Sequence, residues 1–163
     1  MPIVERSFVS TPSGRIHVAV AGDGPPVLLL HQTPRSWDEF RDVLPLLGRH
    51  YRAIAMDTMG YGDSDLAPPG KASIEGWAGA AHDLLAALGI ARAAIVGHHT
   101  GAAIALEIAA AYPARVAALV LSACPYVDAA RRAAPHRGPT VDDVTARADG
   151  GHLGELWAMR QAF

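Results

Sequence analysis

The stretch from Arg92 to Pro113 constrains this chain more than any other. Ala93 to Val96 is a short apolar run of the kind that forms a buried parallel strand. Gly97-His98-His99-Thr100-Gly101 follows with no spacer. An Ala-rich segment then carries Ile104, Leu106 and Ile108, and Pro113 ends it. Strand, tight turn and helix in immediate succession force the central turn residue, His99, into a strained backbone conformation. They also lift its side chain above the carboxyl edge of the sheet. Glycines flank it because a Cβ at either position would collide with the neighbouring strand or helix.

The remaining chain is read in order around that unit. Ser7 to Ser10 and Ile16 to Ala21 read as two strands joined by Thr11-Pro12-Ser13-Gly14. Val27 to Leu30 is a fully apolar strand, and His31-Gln32-Thr33-Pro34 ends it. Ser36-Trp37-Asp38-Glu39 reads as a capping box, with Ser36 as cap and Glu39 reaching back. The helix it starts shows Trp37, Phe40, Val43 and Leu44 on one face, and Pro45 disturbs its end. Arg52 to Met56 is the next strand. Ser73 caps a helix with Ile74, Trp77, Leu84, Leu85 and Leu88 as its apolar stripe and Gly89 as its stop. Val116 to Ser122 reads as one more buried strand. Strands alternating with helices predict a mostly parallel sheet covered on both faces. Such sheets bind ligands beyond the carboxyl ends of their strands, where His31, Asp57, His99 and Cys124 all fall.

Three segments resemble the α/β-hydrolase superfamily, in the right order. Gly97-x-His99-x-Gly101 resembles the G-x-S-x-G nucleophile elbow, with histidine where the family has Ser, Asp or Cys. His31-Gln32-Thr33-Pro34 resembles the H-G-x-P oxyanion loop, with Gln32 where glycine is usual. Asp57-Thr58-Met59-Gly60-Tyr61-Gly62-Asp63-Ser64 resembles the D-x-x-G-x-G-x-S turn that shapes the sheet edge, so Asp57 is expected to be structural. The resemblance covers about Ser7 to Tyr126. It implies an α/β-hydrolase fold, with residues 1–128 as the N-terminal part of the core. It further implies residues 129–163 as a linker and the start of a helical cap, truncated within that cap. The family's later strands carry its catalytic acid and histidine, so a longer protein is expected.

By the same resemblance His99 is the catalytic residue, as nucleophile or general base. The backbone N–H of Thr100 is one oxyanion donor, and the second comes from Gln32 or Thr33. His31, Thr33, Trp37 and His98 are the expected pocket residues. Trp37 reads equally as a core aromatic, and His98 as a packed histidine. A degenerate elbow in a non-catalytic relative is the alternative reading of His99. His82 is expected to be solvated, and His136 and His152 fall in the linker and cap. Cys124 reads as a small buried hydrophobe. Adjacent histidines on a tight turn point apart, and no Cys cluster or H-E-x-x-H is present, so no metal site is expected. No cofactor is expected either: the glycines after Asp57 lack the third Gly of a dinucleotide loop.

Composition narrows the partners. A formal charge of −2 leaves no basic surface for nucleic acid or an anionic membrane. One cysteine excludes an intramolecular disulfide and fits a reducing compartment. Glu5 and Arg6 stand where a signal peptide needs apolar residues, and no apolar run nears membrane-spanning length. A cytoplasmic protein with a small-molecule partner is therefore expected, with self-association through an exposed sheet edge beyond Val116 to Ser122. Thr140 to Ala148 and His152 to Phe163 are helix candidates separated by Gly150-Gly151. Three functions remain open: a hydrolase of a small, fairly apolar ester or related substrate, a binding protein on the same fold, or an inactive fragment.

Overall fold

The computed structural model describes residues 2–126, Asp128, Ala130, Ala133 and 144–161. The chain divides into two compact units, Met1–Tyr126 and Val127–Phe163. In the first, six strands form one sheet: β1 (Glu5–Thr11), β2 (Gly14–Ala21), β3 (Pro26–Leu30), β4 (Arg52–Met56), β5 (Ala93–His98) and β6 (Val116–Ser122). Their order is β1-β2-β4-β3-β5-β6. The β1–β2 hairpin and the β2–β4 pair are antiparallel, whereas β4, β3, β5 and β6 run parallel. Among the described strands β5 is therefore fifth of six.

The apolar runs of the parallel strands are continuous because both faces of the sheet are covered. Successive side chains point to opposite faces. Leu28 and Leu30 of β3, with Ile54 and Met56 of β4, enter one core beneath α2 (Ile74–Ala87) and α3 (Thr100–Ala111). Val27, Leu29, Ala53 and Ala55 enter the other, packed under Phe40 and Leu44. Truncating a buried leucine such as Leu28 to Ala costs roughly 2–5 kcal/mol.

The capping of α2 follows the sequence reading. Ser73 accepts from Gly76 N–H, and Gly89 adopts φ +68° beyond the last turn. Ile90 N–H then reaches back to Leu85 C=O at 2.8 Å, closing the helix end. The segment after β3 departs from its reading. Residues Trp37–Phe40 form a 3₁₀ turn, and a separate short helix, α1 (Leu44–Leu47), follows. Pro45 begins α1 instead of ending the previous helix, because a missing N–H is harmless in a first turn. Ser36 does cap, accepting from Asp38 N–H. Glu39 does not close the capping box; its carboxylate bonds elsewhere, as described below.

Strand β6 is also not the buried strand expected. It pairs with β5 along one edge and packs under α3, yet Val120 is 52% and Leu121 40% exposed. No further strand pairs with it among the described residues. In the second unit, α4 (Gly151–Gln161) occupies the second helix candidate. Residues 140–143 lie outside the described residues, and 144–148 are irregular rather than helical. The expected linker, His136 included, lies outside the described residues apart from Ala130 and Ala133.

Candidate active site

His99 stands at the turn between β5 and α3 with φ 51° and ψ −114°. That region is rarely adopted by residues with a Cβ and costs of order 1–3 kcal/mol. The two flanking glycines hold it there by close approach. A Cβ on Gly97 would lie 2.6 Å from Ala102 Cα, and one on Gly101 would lie 2.5 Å from the Leu30 carbonyl carbon. His99 N–H continues the parallel ladder to Ser122 C=O at 2.9 Å, while its own C=O accepts from Ala102 N–H. The side chain is exposed, with Nδ1 3.4 Å from Thr100 Oγ1. Thr100 is the first residue of α3, so its N–H has no intrahelical acceptor. His99 provides no side-chain cap, and no bond from that N–H forms among the described residues.

The loop after β3 faces the elbow. Thr33 Oγ1 and Thr100 Oγ1 are 2.9 Å apart. Gln32 N–H donates to Glu39 Oε2 at 3.2 Å, and Glu39 Oε1 is 2.7 Å from His98 Nδ1. The structure thus brings Gln32, Thr33, His98, His99 and Thr100 together. It also corrects two readings, of Gln32 and His31, and favours the core reading of Trp37 over the pocket one. Gln32 N–H is committed to a carboxylate and is not a free oxyanion donor. His31 does not line a pocket: it is fully buried, with Nδ1 donating to Gln32 C=O and Nε2 accepting from Thr58 N–H. Burial lowers its pKa below the usual 6.5, against the opposing pull of the Gln32 carbonyl. A neutral His31 thereby pins the β3 loop to the loop after β4. Trp37 sits with the core, its N–H bonded to Asp57 Oδ1 at 2.6 Å and its ring beneath the Arg6 guanidinium.

Asp57 fulfils its structural expectation. It is fully buried and accepts from Trp37 N–H, Asp63 N–H and His17 Nδ1. A Cβ on Gly62 would run into that carboxylate, which explains the glycine. His17, Asp57 and Asp63 gather polar atoms within 4.8 Å of one another. The Arg6 guanidinium occupies that grouping, donating to His17 Nε2 at 3.2 Å and pairing with Asp63. His17 lacked any sequence signal, since only strand pairing carries it to Asp57. His82 is half-buried: it stacks on Tyr112 at 4.2 Å, and its Nδ1 is buried with no partner among the described residues. Cys124 is half-buried. A cleft of about 440 Å³ opens between Pro12-Ser13, Met59, Lys71 and α2, away from the elbow; none of the elbow residues lines it.

A non-glycine residue held at positive φ above the carboxyl ends of parallel strands, beside an open helix N–H, defines a class. Its members are α/β proteins that present one reactive side chain at an elbow. The chain belongs to the alpha/beta hydrolase fold family, whose model matches residues 25–154. It is 42% identical over 123 residues to epoxide hydrolase 2 of Siraitia grosvenorii, covering 74% of this chain and 39% of that protein. It is 36% identical over 97 residues to a soluble epoxide hydrolase of Corynebacterium sp. (strain C12), covering 58% of this chain and 33% of that one. Among solved structures, an N-acyl homoserine lactonase complexed with N-butanoyl homoserine superposes with a TM-score of 0.70 at 33% identity, covering 76% of this chain and 46% of that chain. The chain therefore spans between about a fifth and two fifths of the length of the curated relatives it matches. Among the described residues, no helix is long and apolar enough to cross a membrane.

Proposed function

We propose that the protein is a hydrolase that opens an ester or related bond in a small, fairly apolar substrate, with His99 as the attacking group. The observation that carries this reading is the backbone of His99: an exposed imidazole held at φ 51° where the family places its nucleophile. Structure rarely keeps such a conformation without using it. Relatives named epoxide hydrolases and a structural neighbour named an N-acyl homoserine lactonase support a hydrolytic reaction on a small substrate.

An imidazole nitrogen of His99 attacks the acyl carbon while Thr100 N–H receives the developing oxyanion. The alkoxide leaves with the proton that the acylated imidazole gives up from its other nitrogen, and an acyl-imidazole remains. Water then attacks it, the C–N bond breaks, and acid and free His99 result. His98, Thr33 and the Gln32 loop form the wall around that reaction. The reading sets the activity in the cytoplasm, in keeping with a single cysteine suited to a reducing compartment.

Kinetics with p-nitrophenyl acetate and butyrate test it in the full-length protein. His99→Ala is expected to abolish turnover, while His99→Ser, which restores the family's hydroxyl, retains or raises it. Equal turnover by wild type and His99→Ala at every pH would overturn the catalytic reading and leave a binding protein on the same fold.

A further inference from the structure

The cleft of about 440 Å³ between the β1–β2 turn and α2 has the size of a small-molecule site. Its polar and aromatic groups are each fixed from behind. Ser13 Oγ donates to Asp83 Oδ2 at 2.6 Å and so orients the half-buried carboxylate. Among the described residues nothing bonds Asp83 Oδ1, and it is not one of the buried polar atoms left without a partner, so solvent reaches it. The Tyr112 ring stacks on His82 with 4.2 Å between centroids, which fixes its hydroxyl. That hydroxyl likewise bonds nothing among the described residues and stays open to solvent. Trp77 Nε1 donates to Met59 C=O at 3.1 Å, which locks the indole. Met59 and Ala80, each 2% exposed, complete an apolar wall.

Gly79 relates the two open oxygens. A Cβ there would have Tyr112 Oη at 3.8 Å as its nearest neighbour. Asp83 stands one turn further along the same face of α2, about 5–6 Å away between Cβ positions. The carboxylate and the hydroxyl therefore front the same part of the cleft. Lys71 and Glu75 also line it, but both are exposed, where water screens them, and their charges oppose each other. The half-buried Asp83 thus sets the sign of the site. We propose that this cleft binds a small organic ammonium ion with an apolar body. The ammonium donates to Asp83 Oδ1 and Tyr112 Oη, while the apolar body lies against Trp77 and Met59. The aromatic rings of Trp77 and Tyr112 add attraction for a cation. Because the oxygens and rings are already held in place, little ordering is needed when the ligand enters. The inference does not rest on the reading of His99, since none of the elbow residues lines the cleft.

Two variants separate charge from space. Asp83→Asn removes the negative charge and keeps an oxygen to accept Ser13 Oγ–H, so the hairpin stays tied to α2. Gly79→Leu fills the cleft from the helix. Only Tyr112 Oη lies within 4 Å of the position its Cβ would take, and leucine is a better helix former than glycine, so α2 is kept.

Isothermal titration of the full-length protein with benzylammonium chloride, benzyl alcohol and sodium benzoate tests the inference. The three probes share a ring and differ in charge. Benzylammonium is expected to saturate one site and to shift the ¹⁵N resonances of Gly76 and Gly79. Its affinity is expected to fall about tenfold or more in Asp83→Asn, the loss of one charge-assisted hydrogen bond, and to vanish in Gly79→Leu. Benzyl alcohol is expected to bind about tenfold more weakly than benzylammonium, and benzoate not to bind. His99→Ala is expected to bind benzylammonium as wild type does, whatever becomes of its ester turnover, so the site and the hydrolase reading fail separately. Absence of benzylammonium binding to wild type would overturn the inference. So would wild-type affinity in Asp83→Asn, or benzyl alcohol or benzoate binding as tightly as the ammonium. Loss of binding in His99→Ala would place the ligand at the elbow and overturn it as well.

Discussion

Replacing His99 with glycine should make the protein more stable. The residue holds φ 51° and ψ −114°, a conformation that costs a residue with a Cβ about 1–3 kcal/mol. Glycine adopts it freely but gives back roughly 0.5–1 kcal/mol through the larger entropy of its unfolded chain. Little else is lost, because the imidazole is exposed and its one hydrogen-bonded neighbour, Thr100 Oγ1, stands at 3.4 Å. The difference leaves a net gain of about 1 kcal/mol. Ala123, at φ 48°, supplies an internal comparison of the same backbone relief with almost no side chain at stake. Urea denaturation of the full-length protein, wild type against His99→Gly and Ala123→Gly, measures both. A His99→Gly protein that is less stable than wild type by 1 kcal/mol or more would show that the side chain holds the elbow together. The elbow would then not be storing strain for the sake of an exposed group.

Three other outcomes follow from the geometry. Gly101→Ala drives a Cβ into the Leu30 backbone and should cost upwards of 3 kcal/mol, whereas Gly79→Ala, whose nearest neighbour is Tyr112 OH at 3.8 Å, should be neutral or stabilising; chemical denaturation compares them. His31 titrates below 6.5 in the folded state because burial disfavours its charge, so the unfolded chain takes up a proton first as pH falls. Stability is thus fully present above about pH 6.5 and declines as pH drops from there toward the folded value; an NMR midpoint for His31 at or above 6.5 would contradict this. Val120 and Leu121 leave an apolar edge on β6, so the 163-residue chain should self-associate with rising concentration, and Val120→Lys should weaken that in sedimentation.

The elbow was legible in the sequence because its constraints are local. An apolar run, two glycines four residues apart and an Ala-rich helix leave the chain one way to turn. The two sheet faces were legible for a similar reason, since continuous apolar strands need cover on both sides. Glu39 was misread because its spacing from Ser36 fits a capping box equally well. Only tertiary folding brings it to Gln32 and His98, and no local pattern records a partner 59 residues away. His31 was misread for a related reason. A histidine at a strand end looks available until the loop after β4 supplies Thr58 N–H to its Nε2. β6 reads as buried from its apolar run alone, because a run cannot tell whether a neighbouring strand covers it; the exposed edge there was expected only from the family resemblance, which places the next strand beyond the cap.

The central claim, that His99 forms the covalent bond to substrate, is tested most directly by trapping it. The full-length protein would be mixed with p-nitrophenyl butyrate, quenched within the first turnover, digested and analysed by mass spectrometry. The account predicts a butanoyl group on the peptide carrying His99 in wild type and its absence in His99→Ala. Turnover by wild type with the acyl group on another residue, or with no acyl-enzyme, would contradict it.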